Sequence, residues 1–135
     1  MNVVINKCFG GFSISKECAE YMEKLGSKQA KAELDEWRKN KKLVDYFLKH
    51  GKFPKGTKGN TSFLEIDAKY HKDPTFHGAE YNRTDKLLIK AVEELGDKAN
   101  GSCAKLKVVE IPDGVEYTIE EYDGLEHIAE NHRTW

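Results

Sequence analysis

The chain has 135 residues, with 22 Lys+Arg against 23 Asp+Glu, a net charge of -1, 39% hydrophobic and 10% aromatic residues. That length suits a single domain over 1–135, because typical domains run to about 100–150 residues. The aromatic and β-branched content argues against disorder, no apolar run approaches the roughly 20 residues of a membrane span, and Cys8, Cys18 and Cys103, without a C-x-x-C pair, argue against a disulfide scaffold or a zinc site with closely paired ligands.

In chain order, Val3-Val4-Ile5 reads as a short apolar strand, and Met1–Lys7 lacks the pattern of a secretory leader. Gly10-Gly11 breaks the strand. A helix follows, with Cys18, Met22 and Leu25 at i, i+4, i+7, Ser13 or Ser15 as its N-cap, and Gly26 at its end. Ala30, Leu34 and Trp37 repeat that spacing behind a Ser27 cap. Leu43, Val44, Phe47 and Leu48 form a third helical stretch that stops at Gly51, and the two stretches join into one helix or bend near Asn40. Lys52 to Thr61, with Pro54, Gly56 and Gly59, reads as a loop. Phe63-Leu64-Glu65-Ile66 is expected as a short strand, and 67–83 as irregular.

Thr84 is expected to cap the clearest helix, whose apolar stripe is Leu88, Ala91, Val92 and Leu95 and whose end is Gly96. Leu106, Val108, Val109 and Ile111 make a strand, and Pro112-Asp113-Gly114 a turn. Val115, Tyr117 and Ile119 alternate with Glu116, Thr118 and Glu120, as in a half-buried strand. Asp123-Gly124 signals a tight turn, and the tail from Leu125 to Trp135 is expected as a third antiparallel strand, with a short helix as the alternative. The fold class is α+β: an antiparallel sheet of the C-terminal strands joined by the N-terminal strand, with helices packed on one face. Residues 27–61 read as a helical segment.

Charge is segregated along the chain. Eight basic residues lie between Arg38 and Lys58 with only Asp45 opposing, and eight acidic residues lie between Glu110 and Glu130 without Lys or Arg. Such asymmetry steers charged ligands or complements another copy of the chain.

Three places carry candidate chemistry. Lys7-Cys8-Phe9-Gly10-Gly11-Phe12-Ser13 runs from a strand through paired glycines to a helix start, where free N–H groups favour an anion; Lys7, Gly10, Gly11 and Ser13 are the candidate binding residues. The spacing is neither a phosphate-binding P-loop nor a dinucleotide fingerprint. Arg83, just before a helix start, is a second phosphate candidate, and Arg is the better residue for bidentate phosphate contacts. His132, Arg133 and Trp135 place an imidazole, a guanidinium and an indole at the C-terminus, the groups that nucleotide pockets combine. His71, His77, His127 and His132 lack metal-ligand spacing, no cofactor is expected, and no carboxylate pair stands out for acid–base catalysis.

The opening Val3-Val4-Ile5-Asn6-Lys7-Cys8-Phe9-Gly10-Gly11-Phe12-Ser13-Ile14-Ser15 and the closing runs Lys107 to Glu116, Glu121 to His127 and His132-Arg133-Thr134-Trp135 resemble a family of small bacteriophage- and prophage-encoded proteins. Arg83 to Gly101 fits the same family, so the resemblance covers roughly half the chain and leaves 26–80 unmatched, which implies that the helical segment 27–61 varies within the family. It implies a viral protein at work in the bacterial host cytoplasm, without membrane attachment, and no single activity. Small accessory proteins of this setting counter bacterial defence. The first expectation is therefore a homo-oligomeric sponge that binds and sequesters a small anionic nucleotide signal. The alternative is a protein-binding inhibitor of a host or defence enzyme, using the basic segment or the acidic tail. A small nucleotide-cleaving enzyme using His127 or His132 ranks third.

Overall fold

The computed structural model describes residues 1–57, 59 and 61–130. The fold is α+β, in the order β1 (Asn2–Asn6), α1 (Lys16–Lys24), α2 (Lys28–His50), α3 (Ser62–Tyr70), α4 (Lys86–Leu95), a 3-10 turn (Gly96–Ala99), β2 (Leu106–Glu110), β3 (Tyr117–Tyr122) and β4 (Leu125–Glu130). Among the described residues the strands form two antiparallel pairs, β1–β2 and β3–β4, rather than one continuous sheet. The chain divides into two compact units, residues 1–31 with 77–135, and residues 32–76.

In the first unit β1 is the buried centre. Val3, Val4 and Ile5 are at most 1% exposed, and burying side chains of this size contributes about 1.5–3 kcal/mol each. Register sets Val3 opposite Val109 and Ile5 opposite Lys107. Val3 and Ile5 form one cluster with Ile111, packed by Val109, Tyr117, Ile119 and Ile128. Period-two alternation turns Val4 to the opposite side of the strand, and α4 packs on β1 and β2. The helix α1 lies against α4, and Cys18, Ala19 and Met22 of one and Leu88, Ala91 and Val92 of the other are buried. Ser15 caps α1, its hydroxyl accepting from the Cys18 amide. The cap of α4 is Asp85 rather than Thr84: Asp85 Oδ1 accepts from the amides of Leu87 and Leu88, while Thr84 bonds to Asn82. A carboxylate there meets the helix dipole as well as the free amides, so it outcompetes the neighbouring hydroxyl.

The Asp123-Gly124 turn forms as expected. Both residues have positive φ, 49° and 90°, the requirement of a two-residue type I′ hairpin, and Tyr122 pairs with Leu125 across it.

The helix α2, which belongs to the second unit from Ala32 onward, runs unbroken through Asn40. Ala30, Leu34, Trp37, Val44 and Phe47 keep one helical register across that point, and neither Gly nor Pro interrupts it. The strand expected at Phe63–Ile66 is instead the first half of α3. Asp67-Ala68-Lys69-Tyr70 extends the segment into a helical pattern whose inner face is Asp67 and Ala68, both buried. Buried Asp67 accepts from Thr75 twice, at its amide and its hydroxyl, both at 3.0 Å. The indole of Trp37 donates to the Pro74 carbonyl at 2.9 Å. Lys41 bonds to Asp73 at 2.6 Å, to Asp45 at 2.9 Å and to the Lys72 carbonyl at 3.1 Å.

Candidate functional site: the glycine corner and the exposed face of α3

The paired glycines adopt the conformation their residue type allows, with φ of 115° at Gly10 and 98° at Gly11. They do not open a helix. Phe12, Ser13 and Ile14 intervene before the Ser15 cap, and Ile14 forms a bridge with Asn100. What approaches the glycine backbone is the protein itself. The Gly10 amide donates to the Asp123 carbonyl at 2.9 Å. A Cβ built on Gly124 would lie 2.6 Å from Gly11 Cα, and one on Gly10 would lie 2.8 Å from the Cys103 Cβ. The β3–β4 turn therefore sits directly on the glycine corner.

Asn6 holds this junction together. It is fully buried. Its amide group donates to the carbonyls of Cys8 and Gly124, both at 2.7 Å, and its Oδ1 accepts from the Lys105 amide at 2.9 Å. Its own backbone amide donates to Glu126 Oε1 at 2.8 Å. Glu126 in turn receives Arg83 as a two-pronged pair, with Nη1 at 2.5 Å from Oε1 and Nη2 at 2.9 Å from Oε2. Arg83 also lies over the Phe12 ring, 3.6 Å from its centroid. The structure thus brings Gly10, Gly11 and Arg83 to one junction, with Phe12 between them, and sets the Arg83 charge against a buried carboxylate. Fork-to-fork pairing of this kind is the same geometry by which arginine holds phosphate.

The other sequence candidates are dispersed. Lys7 is exposed, and its backbone amide bonds to the Lys105 carbonyl. Ser13 donates to the Ser102 carbonyl at 3.3 Å. His132, Arg133 and Trp135 lie outside the described residues. His127 is exposed and 3.0 Å from Glu120. Cys18 is buried in α1, which pushes its thiol up to about 12, a protonated and unreactive state at neutral pH. Among the described residues no group of three His, Cys, Asp or Glu is placed to hold a metal ion, and no helix is long and apolar enough to cross a membrane. An open cleft of about 530 Å³ is lined by Met1, Asn2, Thr84, Lys86, Ile89, Lys90, Glu93 and Glu94, none of them a sequence candidate.

No family model, curated protein or solved structure matches the chain.

Two features escape a reading of the sequence alone. One is the Asn6–Glu126–Arg83 network, whose members are far apart in the chain. The other is the outer face of α3. Phe63 is 75% exposed, Ile66 49% and Tyr70 77%. Their i, i+3, i+7 spacing puts all three on one side of the helix. The signal lies in the sequence, but it is visible only once the segment is taken as a helix rather than a strand.

Proposed function

We propose that this chain is a phage accessory protein of the bacterial host cytoplasm that counters host defence by docking onto a host or defence protein. The contact is the outer face of α3. The observation that carries this reading is that Phe63, Ile66 and Tyr70 turn away from the protein as a contiguous stripe. Aromatic side chains dominate the binding energy of protein interfaces, and an apolar helix face read at i, i+3, i+7 is a common form of groove recognition. The basic run from Arg38 belongs to the same unit. The test is capture from bacterial lysate with the wild-type chain and with Phe63→Ser/Tyr70→Ser, each partner being identified by mass spectrometry. A stoichiometric defence or host enzyme retained by the wild type and lost by the variant is the expected result. An equal set of proteins on both removes the reading.

A second reading keeps the sequestration of a small anionic nucleotide, and the Arg83–Glu126 fork favours it: a phosphate that displaces the Glu126 carboxylate would find the guanidinium already oriented beside the glycine corner. Calorimetry with cyclic oligonucleotides and ADP-ribose derivatives tests it. Heat with the wild type and none with Arg83→Met supports this reading. No heat from the folded wild type ends it.

A further inference from the structure

We propose that the outer face of the C-terminal half of α2 binds single-stranded nucleic acid along its sugar–phosphate backbone, without sequence preference. The inference is independent of what docks on α3. It rests on what one helix face gathers. At about 100° per residue, Lys39, Lys42, Tyr46, Lys49 and His50 fall within an arc of about 100°. The buried Leu34 and Val44 lie on the opposite side. The three lysines and His50 are exposed, and Tyr46 is half-buried. From Lys39 to His50 the arc holds no carboxylate. Asp45, beyond its edge, holds Lys41 at 2.9 Å, and Asp35, one turn before Lys39, holds Arg38 at 3.0 Å. No ion pair among the described residues takes up Lys39, Lys42 or Lys49. Lys49 and His50, in the last turn, also complement the negative end of the helix dipole, but Lys39 and Lys42 stand too far from that end to do so.

Length and rings select the ligand. The chain as a whole carries a charge of -1, so attraction of an anion must come from a local surface. From Lys39 to Lys49 the helix rises about 15 Å, which suits a row of phosphates rather than one. The row continues past the helix end: the Phe53 ring packs 4.9 Å from that of Phe47 and holds the exposed Lys52 beside the last turn. Tyr46 and His50 pair with ring centroids 4.3 Å apart, among the lysines rather than in the core. An acidic peptide gains nothing from such rings. An unpaired nucleobase stacks on them while its backbone tracks the cations, and a duplex keeps its base faces to itself.

Fluorescence anisotropy tests the proposal with the full chain and labelled strands of about 20 nucleotides, one of deoxythymidine and one of uridine, from low salt to about 0.1 M. Binding of either supports it, and a preference between them names the sugar. A duplex and a polyglutamate of matched length should bind at least roughly tenfold more weakly. Lys39→Glu/Lys42→Glu/Lys49→Glu alters only exposed side chains, so circular dichroism should match the wild type while affinity falls roughly thirtyfold or more. Lys86→Glu/Lys90→Glu/Lys98→Glu makes the same change in net charge at exposed positions of the first unit. At about 0.1 M salt it should bind within about threefold of the wild type, because distant charges are screened. Single Lys→Gln changes at 39, 42 and 49 keep the test readable if the triple reversal fails to fold: each should reduce the slope of log affinity against log salt by about 0.7. His50→Ala should weaken the strands roughly fivefold to tenfold and leave polyglutamate unaffected. The proposal is overturned if neither strand binds at low salt, if the folded triple reversal binds as well as the charge-matched control, or if the single changes leave the salt slope unmoved. Polyglutamate or duplex binding as tightly as the strands also overturns it, the former assigning the face to an acidic protein.

Discussion

The glycine corner and the outer face of α3 solve opposite problems. At the corner, polar groups are satisfied inside the chain: the Gly10 amide, at an exposed residue, by the Asp123 carbonyl, the buried Asn6 amide by Glu126, and the half-buried Arg83 fork by the same carboxylate. On α3, the apolar side chains of Phe63, Ile66 and Tyr70 are left wholly or half in water. The first arrangement is what stability demands, since an unpaired buried polar group is costly. The second is what stability alone would avoid, and contiguous exposed apolar surface marks interaction sites. Glycines and an arginine attract attention in a sequence, yet here their work is chiefly to join the β3–β4 hairpin to β1.

Removing Glu126 should do the most damage. Glu126→Ala leaves Arg83 without its counter-charge and the Asn6 amide without its acceptor. Both losses fall in a half-buried to buried site, so the cost should be about 2–4 kcal/mol. Urea unfolding at neutral pH measures it. Glu126→Gln keeps one acceptor and should cost distinctly less. If Glu126→Ala unfolds at the wild-type denaturant concentration, the corner is not held by this network and the contrast with α3 fails.

Glycine substitutions sharpen the comparison at the backbone. Gly124 and Gly56 share the same φ, 90°, but a Cβ meets the Gly11 backbone at Gly124 and open space at Gly56. Gly56→Ala should carry the conformational strain alone, about 1 kcal/mol. Gly124→Ala should carry that strain plus displacement of the corner, about 2–3 kcal/mol in all. Equal midpoints for the two variants would mean that the hairpin does not rest on the glycine pair.

How much of this was legible in the residues follows from range. The strand at Val3–Ile5, the α4 stripe and the Asp123-Gly124 turn are local patterns, and the structure has all of them. The α3 segment misleads because Phe63–Ile66 is too short to distinguish a period of 2 from one of 3.6. The α4 cap shifts by one residue because Thr84 and Asp85 are both good caps and charge decides between them. At the corner, the need for glycine is readable and its cause is not. Arg83 and Glu126 lie 43 residues apart, and Asn6 and Gly124 lie 118 apart. No periodicity connects them. The tertiary fold alone determines whether a backbone that admits a close neighbour receives a phosphate or a turn of its own chain.

The two units should also differ in how salt and alkali affect them. Lys41 in the second unit is paired at the surface with Asp73 and Asp45, and hydrogen bonds to those carboxylates raise its pKa above the ordinary lysine value. A raised folded-state pKa means that this contribution is fully present below the unfolded pKa of about 10.4 and is lost as pH rises through the folded value. Lys41→Met should therefore cost about 0.5–1 kcal/mol at neutral pH and low salt. The difference from wild type should shrink in molar salt and in strong alkali. A penalty that persists under both conditions would assign Lys41 a packing role instead of an electrostatic one. The Glu126→Ala penalty, arising in a more buried site, should survive high salt.

The smallest expected effect on stability is at α3, and its smallness is the point. Phe63→Ser and Tyr70→Ser remove side chains that are about three-quarters exposed. Little apolar area is lost from the folded interior, so each should change the unfolding free energy by no more than about 0.5 kcal/mol. A destabilised variant, by contrast, would show that the face is covered within the chain and is part of its core. Buried Ala68, on the inner side of the same helix, supplies the internal control. Ala68→Ser puts a hydroxyl into a packed site and should cost about 1–3 kcal/mol. A large loss at Ala68 beside near-neutral changes at Phe63 and Tyr70 would establish that α3 has one face for folding and one for a partner. The aromatic stripe would then be conspicuous for the absence of any contribution to the fold that carries it.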